Sequence, residues 1–193
     1  MAKAKRKKRL VILAITLVAV IVGFAYLPDY IYKKLYPLKY SEYVEKYAEE
    51  YEMDPYFIYA VIHSESRFRP DAVSHVGASG LMQLMPDSFD WIKTRLGDKR
   101  ELSYEEDIFD PEINIQYGTY MLSILYKEFK DRDVTVMAYH AGRGKIQQWL
   151  QDSKYSSDGQ TIHTLPEQSR ETKKYVDSVN KAYRIYAKLY KDK

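Results

Sequence analysis

Between Asp54 and Glu65 the chain reads Asp-Pro-Tyr-Phe-Ile-Tyr-Ala-Val-Ile-His-Ser-Glu, and the residue able to do chemistry is the last one. Asp54 before Pro55 is a helix start: a capping carboxylate, then the residue best suited to the first helical position. Ile58, Val61 and Ile62 then recur at the spacing that puts them on one face. At about 100° per residue, Glu65 falls between Val61 and Ile62 in angle, inside that apolar stripe. A carboxylate placed there pays a desolvation cost that disfavours its charged form and raises its pKa. A glutamate that keeps its proton near neutral pH is what a general acid must be. The spacing leaves a second arrangement open, in which the helix ends at Glu65 and the side chain turns to solvent or pairs with Arg67 or Arg69.

The residues after Glu65 set its surroundings. Gly77 and Gly80 permit positive φ or close backbone approach, which suits a loop folding back over the end of the glutamate helix. Gln83 sits between Met82 and Leu84, a polar amide inside an apolar run. It is either a satisfied buried amide or a group that orients a polar substrate beside Glu65. Asp71, Asp87 and Asp90 lie on polar stretches and offer no convincing second catalytic carboxylate.

The elements that must position these groups are helical. Ser41 can cap a helix carrying Tyr43, Val44, Tyr47 and Tyr51. Asp110-Pro111 repeats the start signal ahead of a stripe at Ile113, Tyr117, Tyr120, Met121, Ile124 and Leu125. Val134–Tyr139 is apolar but too short to separate helix from strand. Gly142 and Gly144 interrupt the chain before Ile146–Leu150, and a last helix carries Tyr175, Val176, Val179, Tyr183, Tyr186 and Leu189 on one side. Gly97–Asp107 and Lys154–Thr164 lack periodicity and are expected to be loops. No strand alternation of useful length occurs, so the fold class is all-α.

Charge and hydropathy divide the chain. Six of its 30 basic residues (Lys3, Lys5, Arg6, Lys7, Lys8 and Arg9) lie in the first nine positions; without them 24 face 27 acidic residues, a net charge of −3. That argues against a nucleic-acid groove. Leu10–Leu27 is free of charge and near the lower length limit for a bilayer span, and the basic cluster before it favours a cytoplasmic N-terminus. The expectation is a basic tail at 1–9, a transmembrane helix at 10–27, a juxtamembrane spacer at 28–40 and a catalytic domain at 41–193 outside the cytoplasm. The lipid bilayer is then a partner. A cleaved signal peptide competes, with Gly23-Phe24-Ala25 as its cleavage site. Cysteine is absent, so packing alone must hold the domain. His63, His75, His140 and His163 lack metal-ligand spacing, and no metal or cofactor is expected.

Glu65-Ser66-Arg-Phe-Arg-Pro-Asp-Ala-Val-Ser, followed by Gly77-Ala-Ser-Gly-Leu-Met-Gln-Leu-Met-Pro86, resembles the signature of the soluble-lytic-transglycosylase-like (SLT) family. Asp110-Pro-Glu-Ile-Asn-Ile-Gln-Tyr-Gly118 is similar to that family's central helix. Ala138-Tyr139-His140-Ala-Gly142 with Trp149 is similar to its Ala-Tyr-Asn-Ala-Gly segment, and Glu171-Thr172-Lys-Lys-Tyr175-Val176 to its Glu-Thr-x-x-Tyr-Val helix. Together these motifs span roughly Ser41 to Tyr190 in family order.

The resemblance implies a lysozyme-like fold and cleavage of peptidoglycan glycan strands, with Glu65 as the catalytic carboxyl. It further implies that Ser66, Gln83, Tyr139, His140, Glu171 and Tyr175 line or shape the cleft. The implied product is a 1,6-anhydromuramic end, made without water and without the second carboxylate of ordinary glycosidases. Two alternatives stay open: a goose-type lysozyme-like hydrolase, and a glycan-binding membrane protein without turnover. His140 departs from the family asparagine; it is larger and can gain charge near neutral pH. Arg143 stands where the family often has proline.

Overall fold

The computed structural model describes residues 12–13, 15–17 and 27–191. From Ser41 onward the described residues form eight α-helices in order: α1 (Ser41–Glu50), α2 (Pro55–Glu65), α3 (Pro86–Leu96), α4 (Tyr104–Asp107), α5 (Pro111–Phe129), α6 (Arg132–Ala141), α7 (Arg143–Gln151) and α8 (Arg170–Tyr190). A single 3₁₀ turn, Glu167–Ser169, leads into α8. Among the described residues the only β pairing is two isolated bridges, Val73 with Ser79 and Ser79 with Leu84.

Local chemistry accounts for most of the helix starts. Asp54 and Asp110 each accept backbone N–H bonds ahead of a proline at the first helical position. Asp54 has a second task, because the Tyr183 hydroxyl of α8 donates to its Oδ2 at 2.8 Å. Ser41 departs from expectation. The position before α1 is Tyr40 at φ 58°, with no side-chain cap, and Ser41 is the first helical residue. Val134–Tyr139 resolves as part of α6, capped by Asp131. The expected loop Gly97–Asp107 holds the short α4, started by Ser103 accepting from the Glu106 N–H, with three acidic residues in its first turn to suit the helix dipole.

α2 runs through the middle of the packing, against α1 and along α8, while α6 lies between α5 and α8. Ile58, Val61 and Ile62 are fully buried, and each contributes about 1.5–3 kcal/mol relative to exposure. A second, smaller cluster (Leu84, Phe89, Ile92, Ile108, Ile113 and Tyr117) forms between α3, α4 and α5. Tyr139 packs against both clusters, so it stands at their junction.

Two N-terminal expectations change. Among the described residues no helix is long and apolar enough to cross a membrane, which overturns the transmembrane helix. The helix leading into the domain, residues 27–35, carries Asp29, Lys33 and Lys34, charges that hydrocarbon does not tolerate. The tail at 1–9 and most of the 10–27 run (10–11, 14 and 18–26) lie outside the described residues. Residues 35–37, expected to be spacer, pack on the domain. Tyr36 stacks on His63 at 4.4 Å, His63 Nε2 donates to the Leu35 carbonyl at 3.2 Å, and the Tyr186 and Tyr190 hydroxyls donate to the carbonyls of Pro37 and Tyr36.

Candidate active site

Glu65 is the last residue of α2, and the chain turns away sharply behind it. Ser66 closes the helix with its N–H on the Ile62 carbonyl. Arg67 and Phe68 then adopt left-handed φ of 52° and 60°. That conformation costs about 1–2 kcal/mol for each L-residue, and the burial of Phe68 (3% exposed) opposes the cost. Placement at a helix C-terminus sets the carbonyl end of the helix dipole against a carboxylate.

The Glu65 carboxyl keeps an opening to the surface, yet protein surrounds it closely enough for burial to push its pKa from 4.5 to about 7. The Tyr175 hydroxyl donates to Oε1 at 2.5 Å and offsets part of that rise. Burial, then the Glu65 charge, hold the Tyr175 and Tyr139 phenols well above their ordinary range, so both stay protonated. Tyr139 donates to the Met82 carbonyl at 2.8 Å, fixing the loop over the site. In Tyr175→Phe the carboxylate loses its one donor, so the Glu65 pKa should rise further. The alkaline limb of the pH–rate profile then moves to higher pH; a limb that stays put or moves down contradicts this arrangement.

The other sequence-derived residues fall into two groups. His140 joins the cluster, its ring stacked on Tyr175 at 4.5 Å and 16°. Burial lowers its pKa, partly opposed by Glu171, which keeps the imidazole neutral near pH 7. Glu171 itself is exposed and pairs with Lys174 at 2.8 Å, which lowers its pKa. Ser66 is buried with its hydroxyl turned back on the Ile62 carbonyl at 3.3 Å, closing the helix and not facing the cleft. Gln83 donates its amide to the carbonyls of Ala72 and Gly80 at 3.0 and 2.9 Å. Both amide hydrogens are thereby used within the loop, and its carbonyl oxygen is the atom left to accept from a ligand.

Asn114, Gly118 and Tyr104, which sequence reasoning did not single out, hold this loop together with Gly80. Asn114, fully buried on α5, accepts from Met82 N–H at 2.7 Å and donates to the carbonyls of Ser79 and Ile108 at 3.2 and 2.9 Å. Gly80, at φ 81°, lies so close that a Cβ there would meet Asn114 Nδ2 at 2.0 Å. Gly118 gives Met82 its seat, since a Cβ would meet the Met82 sulfur at 2.4 Å. Tyr104 shares its hydroxyl hydrogen between the carbonyls of Gly77 and Leu84 at 2.7 and 3.0 Å. A polar asparagine inside an apolar helical stripe is the signal that could have pointed to the first of these. Among the described residues no cluster of three or more His, Cys, Asp or Glu is placed to hold a metal ion.

Known proteins resemble this chain in sequence and fold. A match to the transglycosylase SLT domain covers residues 42–162. The soluble lytic murein transglycosylase of Escherichia coli is 32% identical over 157 residues, 80% of this chain and 24% of that protein. The membrane-bound lytic murein transglycosylase C of Salmonella arizonae is 29% identical over 177 residues, 82% of this chain and 49% of that one. The crystal structure of the 70 kDa soluble lytic transglycosylase from Escherichia coli superposes with a TM-score of 0.71 at 28% identity, over 82% of this chain and 25% of that one. The chain thus spans about a quarter of the length of the Escherichia coli enzyme and about half of the Salmonella one. With more than half of its length matched, this chain belongs to the transglycosylase SLT domain family.

Proposed function

We propose that this chain is a peptidoglycan lytic transglycosylase that cleaves the β-1,4 bond between N-acetylmuramic acid and N-acetylglucosamine and leaves a 1,6-anhydromuramic end. The observation that carries the reading is one carboxyl poised near neutrality, Glu65 at about pH 7, braced by Tyr175. Protonated Glu65 gives its proton to the glycosidic oxygen as the C1–O bond breaks. The resulting carboxylate takes the proton of the muramic C6 hydroxyl while that oxygen bonds to C1, which restores the acid. No water is consumed and no second carboxylate is required, in contrast to the two-carboxylate glycosidases. Tyr175 remains a neutral donor to the carboxyl throughout, and Tyr139 ties the loop through the Met82 carbonyl. Peptidoglycan lies outside the cytoplasm, so the domain works there.

Digestion of purified sacculi followed by mass spectrometry of the released muropeptides tests this. The expected products are lighter by one water than their hydrolysed counterparts and resist borohydride reduction. Products with reducing ends would identify a hydrolase on the same scaffold and remove the proposal.

A further inference from the structure

Among the described residues the Glu65 carboxyl takes one side-chain hydrogen bond, from the Tyr175 hydroxyl at 2.5 Å. Tyr139, the other phenol at the site, gives its hydrogen to the Met82 carbonyl instead. The direction of a single O–H bond therefore decides how the carboxyl is braced. A phenol keeps that bond in the plane of its ring, because the oxygen lone pair conjugates with the π system. The ring plane turns about χ2, and for tyrosine that torsion is a broad, soft well. Aiming the hydrogen at Glu65 requires a neighbour that fixes the plane.

His140 has the geometry to do so. Its imidazole lies on the Tyr175 ring, with centroids 4.5 Å and planes 16° apart. The imidazole is pinned in turn, because the end of α6 is held on three sides. The preceding Tyr139 is tied to Met82, and the Gly142 N–H closes the helix on the Ala138 carbonyl at 3.0 Å. Arg143 and Gln147 of α7 both donate to Glu128 of α5, at 2.6 and 2.7 Å. The charged groups that face the imidazole are Glu171 of α8 and Lys145 of α7. Burial outweighs the pull of Glu171, so the imidazole is neutral at pH 7 and meets the phenol as one flat ring meets another.

We infer that His140 is a positioning residue: its flat face sets the plane of Tyr175, and through it the hydrogen bond to Glu65, while its nitrogen atoms take no part in the reaction. The inference rests on the assignment of Glu65. It gives a task to the departure from the family asparagine, since an amide has no ring to lay on the phenol. Three variants of the full chain separate the ring face from the polar atoms. His140→Leu keeps the bulk without a flat ring, His140→Asn keeps polar atoms without one, and His140→Phe keeps the ring without polar atoms. The leucine and asparagine variants should lower kcat about three- to tenfold, the worth of a stacked aromatic pair, with KM held within about twofold. His140→Phe should recover most of the loss.

Carbon-13 NMR of the labelled Glu65 carboxyl, its signal identified by its absence in Glu65→Gln, reads the hydrogen bond without turnover. Leucine still keeps water out, so the poorly aimed donor should leave the Glu65 pKa higher in His140→Leu than in wild type, and His140→Phe should return it. With Tyr175→Phe already in place no hydroxyl remains to be aimed, and His140→Leu should shift that pKa no further. Circular dichroism of each variant verifies the fold, and the asparagine and phenylalanine variants decide by their kinetics if the leucine variant is unfolded. Recovery by His140→Asn in place of His140→Phe, or a KM that rises as the polar atoms are lost, makes the imidazole a substrate contact and overturns the inference. A Glu65 titration that His140→Leu leaves in place does the same. Anhydro products from the wild-type chain with that unmoved titration sink the positioning role alone. Reducing-end products with a moved one sink the transglycosylase assignment and leave the positioning role.

Discussion

Glu65→Gln should lower strand cleavage about 10³-fold or more while making the folded domain more stable above pH 7. The kinetic part follows from using one group twice. A positioned general acid or base contributes about 10²–10⁴-fold, and in the proposed reaction the same carboxyl gives a proton and then takes one. An amide can do neither, yet its oxygen still accepts the Tyr175 hydroxyl, so the site keeps its shape.

The stability part follows from linkage. The folded pKa of Glu65, about 7, lies above its ordinary 4.5 because burial disfavours the charge. A group raised in this way stabilises the fold fully below the unfolded pKa and loses that contribution as pH rises through the folded one. Wild type therefore gives up about 3 kcal/mol between pH 4.5 and values above 7, and Glu65→Gln does not. Melting curves of both proteins from pH 4.5 to 8 should separate by several degrees at the upper end and converge at the lower. All other carboxylates titrate alike in the two proteins and cancel in the difference. A gap that does not change with pH would falsify the buried, protonated carboxyl. Activity and stability here pull in opposite directions, because the charge that catalysis forms is the charge burial resists.

How much of this was legible before the structure depended on sequence distance. The place of Glu65 on an apolar face could be read from Ile58, Val61 and Ile62, since helical period is a local signal. The starts of α2 and α5 were equally plain from Asp-Pro pairs. Tyr175, 110 residues away, came only through family likeness, because nothing local says which phenol closes over a carboxyl. Ser66 and Gln83 show the limit of such likeness: the residue types match, but Ser66 gives its hydrogen to the Ile62 carbonyl of α2 and Gln83 gives both of its to carbonyls of its own loop. The left-handed turn at Arg67 and Phe68 had no signal at all, as neither residue favours that conformation and only burial of the Phe68 ring supports it. The apolar run at Leu10–Leu27 misled for a related reason. Hydropathy reports a preference to leave water, whereas a span needs a long apolar helix, and among the described residues none is found.

Asn114→Ala should cost about 3–5 kcal/mol and lower the melting temperature by about 10 °C. Two buried groups, the Met82 N–H and the Ile108 carbonyl, lose their partner at once, and the Ser79 carbonyl, which keeps the Leu84 N–H at 3.0 Å, loses one of its two donors. An orphaned buried donor alone costs about 1–3 kcal/mol. A water admitted to the space would recover some of it, since three polar groups would converge on it. Turnover should fall further than stability alone requires, because the same clamp sets the Met82 carbonyl to which Tyr139 is tied. Asn114→Asp separates hydrogen bonding from volume. One oxygen can still accept from Met82, but the other then faces two carbonyls and must hold a proton to donate to either. Its pKa is raised in the folded state, so this variant should approach wild-type stability in acid and lose it as pH rises, whereas the Asn114→Ala deficit stays flat across the same range. If Asn114→Ala melts within about 2 °C of wild type, the loop over the Glu65 carboxyl is held by something other than this asparagine.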